Sequence, residues 1–251
     1  MTLYGYRVPA VFSLLIWAML WEIVGQLNLV FIFPPLSAVF GKLAHVATRS
    51  DFIEAALISL KSFSIGMFIA IVGGVAIGFL MGRVEAANRI LGMWVNIFAS
   101  APLSSLVPVL MLLFGLGETT IIVTVVLFAI WIIALDTYAG VRHISPSLSE
   151  MGHSFGASSW QLYSQVLFWA ALPEILAGIR MGLIRAVKGV VIGQLLVAVV
   201  ALGRLFQTFS RNFQMEEFWA LTLILFVFAL GFSAAIGALE KRVEYYAGAR
   251  L

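Results

Sequence analysis

Long runs of apolar residues alternate with short polar segments along most of the chain. A helix that crosses a hydrocarbon core about 30 Å thick needs about 20 predominantly apolar residues, and several runs reach about that length. The pattern predicts an all-α, polytopic membrane protein that forms a single transmembrane domain over residues 1–251. The six predicted spans cover residues 9–27, 57–81, 91–114, 118–140, 173–200 and 217–239.

Glycines and prolines give two of these spans a distinct backbone. The second span has Gly74, Gly78 and Gly82 at four-residue spacing, which lets helix backbones approach closely in lipid, although glycine is also tolerated in any membrane helix. The third span contains Pro102 and Pro108. Because proline lacks an N–H, neighbouring groups or water must compensate, and we predict a kinked helix with both prolines beside a pathway.

The composition agrees with a membrane protein and excludes other classes. Hydrophobic residues make up 62% of the chain and charged residues 11%, whereas soluble domains carry about 25% charged residues. The net charge of +3 is too small for a nucleic-acid-binding surface, so we expect no nucleic-acid partner. There is no cysteine, and His45, His143 and His153 are too scattered for a zinc motif, so we expect no metal site.

The distribution of lysine and arginine near the span ends predicts the orientation, because these residues favour the cytoplasmic side. With six spans both termini lie on one side, and we predict that this side is the cytoplasm. The first apolar run lacks a small-residue cleavage site and is interpreted as a retained helix. The cytoplasmic cations are Arg7, Arg83, Arg89, Arg142, Lys241, Arg242 and Arg250, and those opposite are Lys42, Arg49, Arg204 and Arg211.

A polar segment at residues 147–173 separates the fourth and fifth spans. Ser147 and Glu150 have the spacing of a capping box, which predicts a helix that starts near Leu148. Gly156 can adopt the left-handed conformation that ends such a helix. The segment is therefore predicted to begin with a short helix followed by a bend.

A second short helix follows this bend. Ser158 and Gln161 form another predicted capping box, and Pro173 has the position of a first-turn proline that opens the next membrane span. The pattern predicts a cytoplasmic helix joined stiffly to a transmembrane helix.

The first short helix has an apolar stripe made of Leu148, Met151 and Phe155 at positions i, i+3 and i+7. This stripe needs a surface to pack against. An interfacial helix lying on lipid is the alternative, but such a helix favours basic residues, and residues 147–165 contain no lysine or arginine.

At this point the sequence resembles a known family. Glu150, Gly156 and the pair Leu172-Pro173 resemble the EAA loop of ABC-importer permeases. The resemblance covers residues 30–245 and is closest to the nitrate/sulfonate/taurine-type permeases. Its segments are "FIFPPLSAVF", "PLSSLVPVLMLLFGLGE", "DTYAGVRHISPSL", "FGASSWQLYSQVLFWAALPEILAGIRMGLIRA" and "VVIGQLL".

The resemblance implies a type I ABC importer permease fold in which the loop forms a coupling helix that docks into a cleft of the cytoplasmic ATPase. The sequence departs from the family where Glu150-Met151-Gly152 replaces Glu-Ala-Ala, and where Gln194 replaces a common Glu. Gly152 is expected to weaken the helix by up to about 1 kcal/mol relative to Ala. The implied coupling residues are Leu148, Glu150, Met151, Phe155, Gly156, Ala157 and Trp160.

The resemblance also implies the partners. These are a dimer of ABC ATPase subunits that binds ATP and Mg, a second permease copy that is expected to be identical, and an extracytoplasmic binding protein at a bacterial inner membrane. The chain itself has no phosphate-binding G-x-x-x-x-G-K-[ST], H-E-x-x-H or G-x-S-x-G motif. We therefore expect no cofactor in this chain and no enzymatic activity of its own.

Charged residues within the fifth span are costly in lipid and therefore face protein or water. Asp136 in the fourth span matches the depth of Arg180 and Arg185, and an Asp136–Arg180 ion pair is the structural interpretation. Lys188 has no evident acidic partner. Together with Arg185 and Gln194 it is a candidate for the pathway.

These features predict a permease subunit of an ATP-driven importer for a small anionic solute such as a sulfonate, taurine or nitrate. The alternative is a secondary carrier or channel driven by an ion gradient. That alternative predicts internal repeats and a carboxylate near the midplane, but the sequence has no evident repeat and only Glu22 and Asp136 as acids plainly within spans.

Overall fold

A computed structural model describes residues 2–3, 6–7, 10–28, 30–197 and 200–248 of the chain. A short antiparallel pairing joins β1 (Thr2–Leu3) to β2 (Tyr6–Arg7), and the other regular elements of these residues are helical. A 3₁₀ turn occupies Leu103–Leu106 and a π-helical turn Leu162–Leu167. The α-helices are α1 (Ala10–Gln26), α2 (Leu36–Thr48), α3 (Ser50–Arg83), α4 (Glu85–Ser100), α5 (Val107–Phe114), α6 (Glu118–Arg142), α7 (Pro146–Ser154), α8 (Ser159–Gln161), α9 (Phe168–Val197), α10 (Ala201–Arg211) and α11 (Met215–Gly248).

The predicted spans fall on α1, α3, the α4–α5 pair, α6, α9 and α11, so the all-α, multi-pass architecture is confirmed. Helices α3 and α6 are each long and apolar enough to cross a membrane, and α4 and α5 qualify together, as a broken pair with a bend of 96°. The third span is therefore broken rather than merely kinked.

Helix α6 packs between α3 and α9 at the centre of the bundle. The α3 glycines lie directly against it: a Cβ on Gly74 would lie 2.8 Å from Ile133 Cβ, and one on Gly82 2.5 Å from Val141 Cγ1. The pairings advance together along the two helices, so α3 and α6 run parallel. The prediction of a close-packing glycine face is confirmed.

Helix α9 runs antiparallel along another face of α6 and also contacts it through glycines. A Cβ on Gly178 would lie 2.7 Å from Asp136 Cβ, and one on Gly182 2.6 Å from Ile133 Cγ1. Small residues on both interfaces of α6 allow the backbones to come close, which is how membrane helices gain packing energy without a hydrophobic driving force.

Two amphipathic helices, α2 and α10, cover the end of the bundle where α3 begins. They bury one apolar face in a cluster that includes Val39, Val46 and Phe209. Arg49 forms a salt bridge of 2.6 Å with Asp51, and Lys42 lies 3.0 Å from the Glu217 carboxylate. The hydrogen bond that Lys42 donates to the Glu217 carboxylate raises the pKa of Lys42.

Candidate functional site

Helix α7 begins at Pro146, two residues before the predicted start. Its N-cap is Ser145, which makes no side-chain cap hydrogen bond. The predicted capping box of Ser147 and Glu150 is therefore wrong. A proline in the first turn presets the helical φ, so the helix starts closer to the N-terminus than predicted. The hydroxyl of Ser147 lies 2.7 Å from that of Ser145 instead, and Glu150 is exposed.

The end of α7 is a Schellman motif. Gly156 has φ +73°, as predicted, and its N–H donates to the His153 carbonyl at 2.9 Å. The N–H of Ala157 donates to the Gly152 carbonyl at 3.0 Å. These two bonds satisfy carbonyls at the helix end and fix the direction in which the chain leaves α7.

The second helix starts with the predicted capping box. Ser158 N–H donates to Gln161 Oε1 at 2.9 Å, and Gln161 N–H donates to Ser158 Oγ at 3.3 Å. From Ser159 the chain continues without interruption through the π-helical turn into α9.

Pro173 lies inside α9, so its predicted position as a first-turn proline is wrong. A proline is tolerated within a membrane helix where local adjustments of the helix and neighbouring helices compensate for its missing donor. The predicted stiff connection between the segment and a membrane helix is present, and it begins before Pro173 rather than at it.

Gly152 explains how α7 folds back onto the second helix. It is buried, and a Cβ at this position would lie 2.6 Å from Leu162 Cδ1. The sequence interpretation treated Gly152 only as a weak helix former. In the structure the missing side chain permits contact between α7 and the π-helical turn.

The outer face of α7 is apolar and exposed. Phe155 is 84% exposed and Met151 47%, while Leu148 is half-buried. We call these three residues the docking face. Large apolar side chains grouped on an otherwise polar segment indicate an interaction surface. Trp160 is 78% exposed, but it lines a groove against α3.

The broken span places Pro102 and Pro108 in different roles. Pro102 precedes the 3₁₀ turn at the break between α4 and α5. Pro108 lies in the first turn of α5, where its missing N–H leaves no bond unmade. The predicted disruption is therefore located at Pro102, and Pro108 does not interrupt a helix.

Arg185 stabilises this break. Its Nη1 donates a hydrogen bond of 3.1 Å to the carbonyl oxygen of Ala99 in the last turn of α4. Carbonyls at a helix end lack intrahelical partners, and within a membrane such groups must be satisfied by protein or water. Arg185 thus satisfies a backbone group at the break.

Gln194 is 2% exposed and hydrogen-bonded inside the bundle. Its Nε2 donates to Ser59 Oγ at 2.7 Å, and Ser59 Oγ donates to the Ala55 carbonyl. The expectation that Gln194 faces a pathway is wrong for this structure, because its amide links α9 to α3.

Lys188 lies on an exposed stripe of α9 that includes Glu174, Met181 and Leu195 at seven-residue intervals. The neighbouring Gly189 packs against Phe128, near the middle of α6. Lys188 makes no salt bridge with any residue that the structure describes. A lysine at this depth needs water or protein around its ammonium group.

Asp136 and Arg180 do not form the expected salt bridge within the described part of the chain. Arg180 points towards α11, where its Nη2 lies 3.7 Å from the position of a Cβ on Gly237. The Asp136–Arg180 ion-pair interpretation is therefore wrong for this structure.

Sequence reasoning missed Arg83 as a candidate for a local site. Its guanidinium lies 5.5 Å from the centre of the Tyr163 ring, and its Nε and Nη2 are buried without a hydrogen-bond partner. The only available signal was the position of an arginine at a span end. Among the described residues, no group of three His, Asp or Glu side chains could hold a metal ion.

The fold is that of ABC importer permeases. A crystal structure of an amino acid ABC transporter with histidines superimposes with a TM-score of 0.63 at 19% identity, covering 80% of this chain and 97% of the other. Residues 70–245 match the family of binding-protein-dependent transport system inner membrane components. The chain belongs to this family and is a multi-pass inner membrane protein.

The curated relatives with named solutes include two that transport different compounds. The taurine transport system permease protein TauC of Escherichia coli K12 is 27% identical over 235 residues, which are 91% of this chain and 86% of TauC. The carnitine transport permease protein OpuCD of Listeria monocytogenes is 32% identical over 132 residues, 51% of this chain and 57% of OpuCD. The shared feature is the permease role, since their solutes differ.

Proposed function

We propose that this permease imports a small solute with an anionic group, of the sulfonate or taurine type. The observation that carries the proposal is Lys188, an exposed cation near the middle of the bundle without a described acidic partner. A membrane-embedded cation of this kind attracts an anion and repels a cation. The similarity to TauC supports the same solute class.

ATP hydrolysis by the partner ATPase is coupled to transport through movement of the docking face. Met151 and Phe155 insert into a cleft of a separate ATPase, and the Gly156–Ala157 turn fixes the angle of α7. ATP and Mg are held by that ATPase and no cofactor by this chain. The continuous helix from Ser159 to Val197 then conveys the motion of the docked segment to Lys188.

Two copies of the chain enclose the pathway. The exposed α9 stripe of each copy faces the other, so two Lys188 ammonium groups line one cavity. A binding protein delivers the solute on the side of α2 and α10. The segment with α7, and both termini, lie in the cytoplasm.

Lys188→Met tests this function in proteoliposomes containing the permease, its ATPase and its binding protein. Loss of a charge-assisted contact of about 1.5–3 kcal/mol should slow taurine or sulfonate uptake by about tenfold or more, with assembly and basal ATP hydrolysis unchanged. Lys61→Met is the control, because Lys61 is exposed and paired with Glu118 at 3.0 Å. Unchanged uptake in Lys188→Met, or loss of assembly, contradicts the anion pathway.

A further inference from the structure

An open apolar groove lies between α3 and residues 146–167, which we call the coupling segment. It has a volume of about 890 Å³, within the range of about 300–1,000 Å³ found for ligand sites. One wall is formed by α3, including Val72, Val75 and Ala76, and the other by Tyr163 and the start of α9. Both walls are apolar, so the groove suits a hydrocarbon chain.

Arg83 lies in the last turn of α3, three residues after Leu80, which lines the groove. Its guanidinium stacks near Tyr163, which also lines the groove. Two of its nitrogens, Nε and Nη2, are buried without a hydrogen-bond partner. Unsatisfied donors on a charged group carry a large desolvation cost. An anion with acceptor oxygens near the guanidinium would offset this cost.

The aromatic residues around the groove indicate its depth in the membrane. Trp160 and Trp169 line it and are 78% and 61% exposed, and Tyr163 lies beside them. Tryptophan and tyrosine concentrate where hydrocarbon meets lipid headgroups. The groove therefore runs from the headgroup level, at Arg83, into the hydrocarbon region along α3.

The groove lies away from the proposed interface between two permease copies. Ile179 lines the groove and is nine residues from Lys188. At about 100° per residue, these two side chains project from opposite faces of α9. A second copy that covers the Lys188 stripe leaves the groove open to lipid.

We propose that an anionic phospholipid binds in this groove, with its phosphate on the Arg83 guanidinium and one acyl chain between α3 and the coupling segment. Guanidinium binds phosphate oxygens through paired N–H donors. The lipid bridges α3 to the π-helical turn and so holds the coupling segment in position. This site does not depend on the identity of the transported solute.

The test measures retained lipid on the purified full chain by native mass spectrometry after exchange into defined mixtures of phosphatidylglycerol and phosphatidylcholine. The wild type should retain phosphatidylglycerol in preference to phosphatidylcholine. Arg83→Gln should lower that preference by about tenfold, since charge-assisted bonds are lost, and Arg83→Lys should restore part of it. Arg89→Gln is the matched control, because Arg89 is a more exposed cation on the same side, paired with Glu85.

Ala76→Trp separates a lipid from a free phosphate. Ala76 is exposed and lines the groove, so the indole should fill the space without disturbing the core. Loss of phosphatidylglycerol in Ala76→Trp supports an acyl chain in the groove. Retention of the phosphatidylglycerol preference in Arg83→Gln, or in Ala76→Trp, overturns the proposal. If Arg83→Gln keeps its lipid but loses the ATPase, Arg83 serves the ATPase contact instead of a lipid.

Discussion

The guanidinium of Arg185 donates a hydrogen bond to the carbonyl oxygen of Ala99 across 3.1 Å, although the two residues are 86 positions apart in the chain. The bond joins α9 to the last turn of α4, where the third span breaks. A charged side chain inside the membrane thus serves a backbone group that the break leaves without a helical partner. Lys188 lies three residues after Arg185 on α9, so the proposed pathway is adjacent to the break in the third span.

Arg185→Met should lower the free energy of unfolding by about 1.5–3 kcal/mol, because a hydrogen bond from a charged donor is lost and a carbonyl is left unsatisfied. Arg185→Lys keeps the charge without the planar donor group, so its free energy of unfolding should lie between those of the wild type and Arg185→Met. The measurement is thermal unfolding of the purified chain in detergent. Arg142→Met is the control, since Arg142 is an exposed cation 3.7 Å from Glu85 and such pairs contribute about 0–1 kcal/mol. Equal losses in the Arg142 and Arg185 variants would refute a specific role at the break.

Substitution of two helical glycines by alanine should have opposite effects. A Cβ on Gly78 would lie 2.6 Å from Thr137 Cβ, whereas a Cβ on Gly41 meets open space. Gly78→Ala should destabilise the chain by about 1–3 kcal/mol through overpacking, and Gly41→Ala should stabilise it by up to about 1 kcal/mol through helix propensity. Unfolding in detergent measures both. A stabilising Gly78→Ala would mean that α3 and α6 are not held together by this contact.

Features that repeat locally in the sequence predicted much of this fold. The length and hydropathy of the apolar runs were sufficient to locate the spans. The four-residue spacing of the α3 glycines predicted a close-packing face. Local capping chemistry predicted the turn at Gly156 and the capping box of Ser158 with Gln161. The start of α7 was missed because the Ser147–Glu150 spacing fits a capping box equally well, and the conformational preference of Pro146 outweighs it.

Long-range contacts could not be predicted in the same way. The bond between Gln194 and Ser59 joins residues 135 positions apart, and no local pattern distinguishes a buried bridging amide from one that faces water. Helices α2 and α10 are 13 and 11 residues long, too short and too amphipathic to appear as spans. Their helical form depends on tertiary packing against α3 and α11.

The docking face predicts where association with an ATPase is lost. Phe155→Asp places a carboxylate on a residue that is 84% exposed, so the isolated chain should fold normally. Burial of that charge in a hydrophobic cleft is unfavourable, and co-purification with the ATPase should fall by about tenfold or more. Ser159→Asp introduces the same charge at a helix N-terminus, where it is favourable, and should leave association intact. Normal co-purification of Phe155→Asp would exclude this face as the contact.

The proposed orientation is testable because the chain has no cysteine. Ser154 on α7 and Ser210 on α10 are both exposed. In intact cells, a membrane-impermeant maleimide should label Ser210→Cys from outside the inner membrane, and Ser154→Cys only after the membrane is opened. The opposite pattern would invert the topology and place the docking face away from any cytoplasmic ATPase.

The contact between Gly152 and Leu162 predicts a coupling that a double-mutant cycle can measure. Gly152→Val should displace the Leu162 side chain, because even a Cβ would lie 2.6 Å from its Cδ1, and should open the angle between α7 and the π-helical turn. ATP hydrolysis in the assembled complex should then persist while transport per ATP falls.

Leu162→Ala removes the atoms that collide and should partly restore transport in the Gly152→Val background. Residues in contact show interaction energies of about 0.5–3 kcal/mol, and the loss of stability in the double variant should be smaller than the sum of the two single losses by that amount. Gly41→Val combined with Leu162→Ala is the control cycle, since Gly41 has open space around it and distant pairs add within about 0.3–0.5 kcal/mol. Additivity in the Gly152–Leu162 cycle would show that glycine at this position does not serve the contact, and that the angle of α7 is set by the Schellman turn at Gly156 alone.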